Sequence, residues 1–288
     1  MFIPIVSDYG FKATFGNEAN TLFLRKALQA LIKSAVPIKE VRFDKNAFEA
    51  LTVDGRSGIF DLACTDERGN HFIVEMQLAH SPYFLQRIKF YALHKLNTLV
   101  ERGQFDYSNL PSIYCIAFLE KNILSTKQYH TIANLRDEFG RQIDSQMTFI
   151  IVEMTKFDKE AADVQTDLEK LIYTMKTLHK VTETTKYPLF WDEEWLKKAI
   201  EELDTRRMTP EERFQFARIT AINAEAVYAE KRKIKEARQE ENLLVKTEIV
   251  KKLLERGKLS LEEIAEDNEV SLEFVTAIQG QMKANPGV

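Results

Sequence analysis

The stretch Ile59-Phe60-Asp61-Leu62-Ala63-Cys64 through Glu75-Met76-Gln77-Leu78 restricts the fold more than any other part of the chain. Two short runs rich in apolar and β-branched residues flank Glu67-Arg68-Gly69, a triplet that suits a three-residue hairpin loop with glycine in the left-handed position. Side chains along a strand alternate between faces. Phe60, Leu62 and Cys64 therefore share one face and Asp61 the other, while Phe72, Val74, Met76 and Leu78 leave Glu75 and Gln77 together on the opposite, wet side. Asp61 and Glu75 are equidistant from Arg68, which sets the two acids directly across from each other. Like charges so placed destabilise a sheet unless a cation or a shared proton lies between them.

Short β-branched and aromatic runs alternate with helical patterns up to about residue 155, as in an α/β protein. A helix is expected near Asp8 to Phe15, with Asp8 as its cap or as an additional acid at the site, and another between Asn20 and Lys33. Strands are expected at 38–44, 58–65, 71–78, 113–119 and 147–154. A helix opened by Ser81-Pro82 should run to about Arg102. The order is helix, three-stranded antiparallel meander, helix, strand. No glycine occurs between Arg141 and Arg256, and most of that region reads as helical, with breaks near Tyr187-Pro188 and Thr209-Pro210. The expected division is 1–155 and a helical 156–288.

A net charge of −4 offers no global attraction for a polyanion, so contact with nucleic acid must rest on local cations or on metal. Cys64 and Cys115 lie in apolar runs without zinc or redox spacing and read as buried free thiols. The five histidines show no ligand spacing. No segment approaches the roughly 18 apolar residues of a membrane helix, and the N-terminus lacks a leader pattern. A cytoplasmic protein with no membrane association is expected.

Two facing carboxylates suit Mg²⁺, with Mn²⁺ as a substitute, but a hairpin with ordinary polar residues would carry the same pattern. Four stretches add to it: Asp8-Tyr-Gly-Phe-Lys-Ala-Thr-Phe-Gly16, Phe60-Asp61-Leu62, Val74-Glu75-Met76-Gln77, and Gln86-Arg87-Ile-Lys-Phe-Tyr91. In order and spacing the chain resembles, over roughly residues 1–155, the bacterial recombination-promoting nuclease and transposase (Rpn) family of the PD-(D/E)XK superfamily. The resemblance implies a restriction-endonuclease-like core with a helical C-terminal extension, and a Mg²⁺-dependent DNA endonuclease tied to recombination or transposition. It implies Asp61 and Glu75 as metal ligands with the Met76 carbonyl. Gln77 stands where most of the superfamily has lysine, and an amide can hydrogen-bond but supplies no charge. Arg87 and Tyr91, four apart on one helix face, with Lys95 continuing the row, are candidate substrate contacts, as is Lys12. A polar helix edge is the structural alternative.

Residues 229–258 hold ten Lys or Arg against six Glu, most simply a solvated helix face. Leu259 to Ile278 reads as two short helices around a turn, with Ser271 capping the second. Six acids and no Lys or Arg in 260–281 oppose DNA reading, which favours packing or dimerisation. Double-strand cleavage would suit a symmetric homodimer. The rival to an enzyme is a catalytically weak or inactive nuclease-fold module that binds DNA or protein.

Overall fold

The structure, a computed structural model, describes residues 2–45, 47–48, 58–59, 61–77, 83–100, 106, 108, 110–181 and 187–284. It divides into two compact units, Met1–Phe216 and Ala217–Val288. The first contains α1 (Asp8–Thr14), α2 (Leu22–Leu31), β1 (Val41–Phe43), β2 (Ala47–Phe48), β3 (Gly58–Ile59), β4 (Leu62–Asp66), β5 (His71–Gln77) and α3 (Phe84–Leu99). β6 (Ile113–Leu119), β7 (His130–Arg136), β8 (Gln142–Glu153), α4 (Asp167–Thr177) and α5 (Glu194–Glu202) follow.

Six strands form one mixed sheet in the order β1-β4-β5-β6-β8-β7, and β2 and β3 pair separately. β1, β4 and β5 are antiparallel neighbours. β6 runs parallel to β5, and β8 parallel to β6, while β7 is antiparallel to β8. A parallel step between consecutive strands needs a crossover, and α3 supplies it between β5 and β6. The apolar run 113–119 is β6, as expected, and its alternate residues feed both faces of the sheet. Ile116 and Phe118 join the core under α1, α2, α4 and α5. Cys115 and Ala117 meet the face covered by α3, Cys115 beside Ala92 and Ala117 beside Phe84 and Ile88. Both cysteines are buried free thiols.

Several expected boundaries move. The strand expected at 58–65 is broken: Gly58–Ile59 pairs with β2, and β4 begins only after a bend at Asp61. The fifth strand starts at Gln142 rather than 147, and β7 stands at the sheet edge where no strand was expected. Its outward half and the start of β8 carry mixed polar residues, which hides the strand period. α3 ends at Leu99, short of Arg102. Phe60, Leu78 and the Ser81-Pro82 helix start lie outside the described residues. Ser7, not Asp8, caps α1 by accepting from the Gly10 amide at 3.1 Å.

The compact unit does not end at 155. Leu168, Leu171, Ile172 and Met175 of α4, with Trp195, Leu196 and Ala199 of α5, are buried in the same core as Phe72 and Val74. These helices cover one face of the sheet, so the first unit extends through Phe216. α4 starts behind Thr166 with a reciprocal capping box to Glu169, which sets its first helical residue at Asp167.

α6 (Pro210–Arg256) enters the second unit, which also holds α7 (Leu261–Asp267) and α8 (Leu272–Ala284). Val250, Ile264, Ala265, Val275 and Ile278 form its core. Ser271 caps α8, accepting from the Phe274 amide at 3.1 Å. No helix among the described residues is long and apolar enough to cross a membrane.

Candidate active site

The β4–β5 hairpin is built by the loop chemistry of Glu67-Arg68-Gly69. Gly69 has φ +81°, and the Asp66 carboxylate accepts from the Arg68 and Asn70 amides at 3.0 and 2.9 Å. The register runs Thr65↔His71 to Leu62↔Val74. Continued by one residue, it sets Asp61 opposite Glu75.

Asp61 sits at the bend, and each acid reaches the other strand's backbone. Its Oδ2 accepts from the Met76 amide at 2.7 Å, and Glu75 Oε1 accepts from the Asp61 amide at 3.4 Å. The odd residues of β5 turn their backbone groups to β6, as His71 N–H to Ser112 and the Gln77 carbonyl to Glu120 show. Met76 therefore presents its amide and its carbonyl on the Asp61 side.

The face bearing Glu75 is not wet. Ala63 and Ile73 share it and are buried against Ala92 of α3. Glu75 is 6 % exposed, whereas Asp61 keeps surface exposure. Burial first, then the Asp61 charge, push the Glu75 carboxyl up to about 8, against the pull of Arg87. Asp61 is also raised, by burial and by the Asp8 charge, while the Met76 amide, Arg87 and Lys12 oppose the shift.

α3 brings two more residues to the pair. Arg87 Nη2 donates to Gln77 Oε1 at 2.5 Å and lies 3.9 Å from Glu75 Oε2. Tyr91, one turn further, has its hydroxyl raised by burial and then by the Glu75 charge, which places it beside the acids. Lys12 is exposed and pairs with Asp8 at 3.2 Å, its charge felt at Asp61.

Lys95, the third member of the row, goes elsewhere. Its Nζ pairs with Asp44 Oδ2 at 3.0 Å. The same oxygen accepts from Thr65 Oγ1 at 2.8 Å and lies 3.4 Å from His71 Nδ1. Burial alone would raise the Asp44 carboxyl, but these three partners hold it well below the usual carboxylate range. Asp44 and His71 were not singled out as a pair in sequence because β1 and β5 meet there only through β4. Removing one member of a buried ionic cluster leaves the others uncompensated. Asp44→Ala is expected to cost about 3 kcal/mol in urea unfolding.

Among the described residues no third His, Cys, Asp or Glu joins Asp61 and Glu75 in a metal-binding group. Two carboxylates, both displaced toward the protonated form, next to a backbone carbonyl are a donor set of oxygens that fits a hard divalent cation of the Mg²⁺ type.

A mixed α/β protein with a crossover from an acidic β-hairpin to a helix that carries Arg87 and Tyr91 over the acids is the class defined by this fold and site. The chain matches the family described as PD-(D/E)XK nuclease family transposase over residues 5–237, and it belongs to that family. Membership implies a nuclease-type hydrolase, a class that generally uses divalent metal ions. No match was found among curated proteins or among solved structures.

Proposed function

We propose that this protein is a metal-dependent DNA endonuclease that hydrolyses phosphodiester bonds in recombination or transposition. The observation that carries the reading is Glu75, a buried acid pushed up to about 8 and bonded to the amide of a second acid, Asp61. The Asp61 and Glu75 carboxylates and the Met76 carbonyl would hold Mg²⁺ or Mn²⁺. The bound ion would supply Lewis acidity at the phosphate and lower the pKa of a water. The Met76 amide fixes the Asp61 carboxylate, and α3 keeps bulk water from one side of Glu75. Hydrolysis adds one water across a P–O ester bond, leaving a phosphate monoester end and a hydroxyl end. DNA is the substrate, the cytoplasm its setting, and a symmetric dimer would provide the two sites that double-strand cleavage needs.

A neutral Gln77 already bonded to Arg87 favours the second reading, a nuclease fold that binds without cutting. Nicking of supercoiled plasmid with Mg²⁺ or Mn²⁺ separates them. Wild type is expected to nick and Asp61→Asn to lose at least about a hundredfold. Equal nicking by both proteins would remove the assignment, and DNA retention without nicking by wild type would support the second reading.

A further inference from the structure

We propose that Arg87 is the cation that meets the scissile phosphate, and that Gln77 is a positioning residue holding the Arg87 guanidinium beside the acid pair. The inference rests on the nuclease reading above, and it gives Gln77 a role exercised through Arg87.

Charge balance is the starting point. Asp61 and Glu75 carry up to two negative charges, and a phosphodiester brings a third, so the approach of substrate needs positive charge at this spot. Among the described residues three side chains are candidates. Lys12 is exposed and pairs with Asp8, a residue whose charge works against Asp61. Lys95 is committed to Asp44, with only 17 % of its side chain exposed. Arg87 alone of the three contacts the strand bearing Glu75 and Gln77.

Its setting is that of an aimed group. The guanidinium carbon lies 5.3 Å from the centroid of the Phe84 ring, which supports one side. Nη2 is tied to Gln77 Oε1 at 2.5 Å. Glu75 Oε2, at 3.9 Å, is within Coulombic reach but beyond a hydrogen bond, so Glu75 keeps capacity for another partner. The Arg87 side chain is 38 % exposed, enough for a ligand to reach it. Its Nε is buried and has no hydrogen-bond partner among the described residues, so an incoming oxygen acceptor would meet the exposed part of the guanidinium rather than Nε.

Gln77 suits the holding role because its amide oxygen accepts from the guanidinium without cancelling its charge. A carboxylate there would bond Arg87 as well but neutralise it. The Arg87 and Gln77 pair thus delivers a positive charge from α3 to the end of β5.

The test relocates the charge. Wild type, Arg87→Met, Arg87→Lys and the double variant Gln77→Lys/Arg87→Met are compared in plasmid nicking with Mg²⁺ or Mn²⁺. Arg87→Met is expected to lose about a hundredfold or more, Arg87→Lys to keep at least about a tenth of wild-type activity, and the double variant to recover at least about tenfold over Arg87→Met. Recovery is expected because a lysine on β5 puts the charge back, a result that a purely structural role for Arg87 would not give. Binding of a short duplex, followed by fluorescence anisotropy without divalent cation, is the second readout. The slope of log affinity against log salt should fall by about 0.9 in Arg87→Met and return in the double variant.

If wild type fails to nick but the salt slope responds as stated, the nuclease reading fails while the phosphate contact of Arg87 stands. If wild type nicks and the double variant stays as inactive as Arg87→Met, or if the slope is unchanged in Arg87→Met, the inference is overturned.

Discussion

Glu75→Gln should make the protein more stable at about pH 8 in the absence of divalent cation, while removing the stabilisation that Mg²⁺ gives to wild type. The sign follows from proton binding. Folding raises the Glu75 carboxyl from 4.5 to about 8, so between these values the folded chain holds a proton that the unfolded chain has released. Stability therefore falls as pH rises through this window. The side chain is only 8 % exposed, so solvent screens little of the effect. At about 1.4 kcal/mol per unit the loss amounts to a few kcal/mol near the upper end. Glutamine is a neutral isostere of the protonated acid and escapes the loss. For a unit of this size the variant is expected to melt about 5–10 °C higher near pH 8 in chelator.

Near pH 5 the two proteins should converge, because wild-type Glu75 is then protonated in the fold. Asp44 and Glu169, both held low by hydrogen bonds and lysine partners, titrate below this window and are common to both proteins. A few millimolar Mg²⁺ should raise the wild-type melting temperature near pH 8 and leave the variant unmoved, since binding to the folded state alone is stabilising. Thermal melts on a grid of pH and Mg²⁺ check both parts. A variant less stable than wild type in chelator near pH 8 would mean that Glu75 is not electrostatically crowded.

The two strands of the hairpin were legible because local chemistry sets them. Gly69 could be assigned its left-handed backbone from the loop length, and the register then follows by counting from Arg68. β6 was equally open, since seven consecutive apolar residues, too short for a typical helix and rich in β-branched and aromatic side chains, suit a strand buried on both faces. The burial of Glu75 was hidden because it depends on what packs on the hairpin. One sign was present: Ala63 and Ile73 are apolar at the same parity as Asp61 and Glu75, so that face had to meet something besides water.

Lys95 shows a limit of helical spacing. Its place on the row with Arg87 and Tyr91 is real, but the row crosses the sheet and ends at Asp44, which directly follows β1, the strand two positions away from β5. β7 and the first residues of β8, before Met147, were missed for another reason. Leu135, Phe139 and Ile143 are exposed there among charged neighbours, so neither the period of two nor an apolar core marks the edge.

Gly10→Ala pits backbone propensity against contact, and contact should win. In a helix alanine is favoured over glycine by about 1 kcal/mol. Gly10 is buried in α1, however, and a Cβ on it would sit 2.0 Å from the Pro4 carbonyl oxygen and 3.0 Å from the Ile5 Cα. Both are backbone atoms of a segment fixed on either side of the contact. Ile3 and Ile5 are buried, the Ile3 amide donates to the Leu203 carbonyl at 2.9 Å, and Ser7 donates to the Pro4 carbonyl at 2.7 Å. No side-chain rotation relieves such a clash, so α1 must lift from the segment. Phe11 and Phe15, stacked at 4.7 Å and buried in the main core, would move with it, as would Asp8 and Lys12 near Asp61. A net loss of about 2–4 kcal/mol in urea unfolding is expected. Ala13→Gly, in the same helix with a half-buried side chain, is the control that involves no clash: it loses propensity and part of one methyl contact and should cost only about 1–2 kcal/mol. Stability unchanged or raised in Gly10→Ala would show that the seat of α1 on Pro4 and Ile5 is loose, and that Asp8 and Lys12 are not held in place by it.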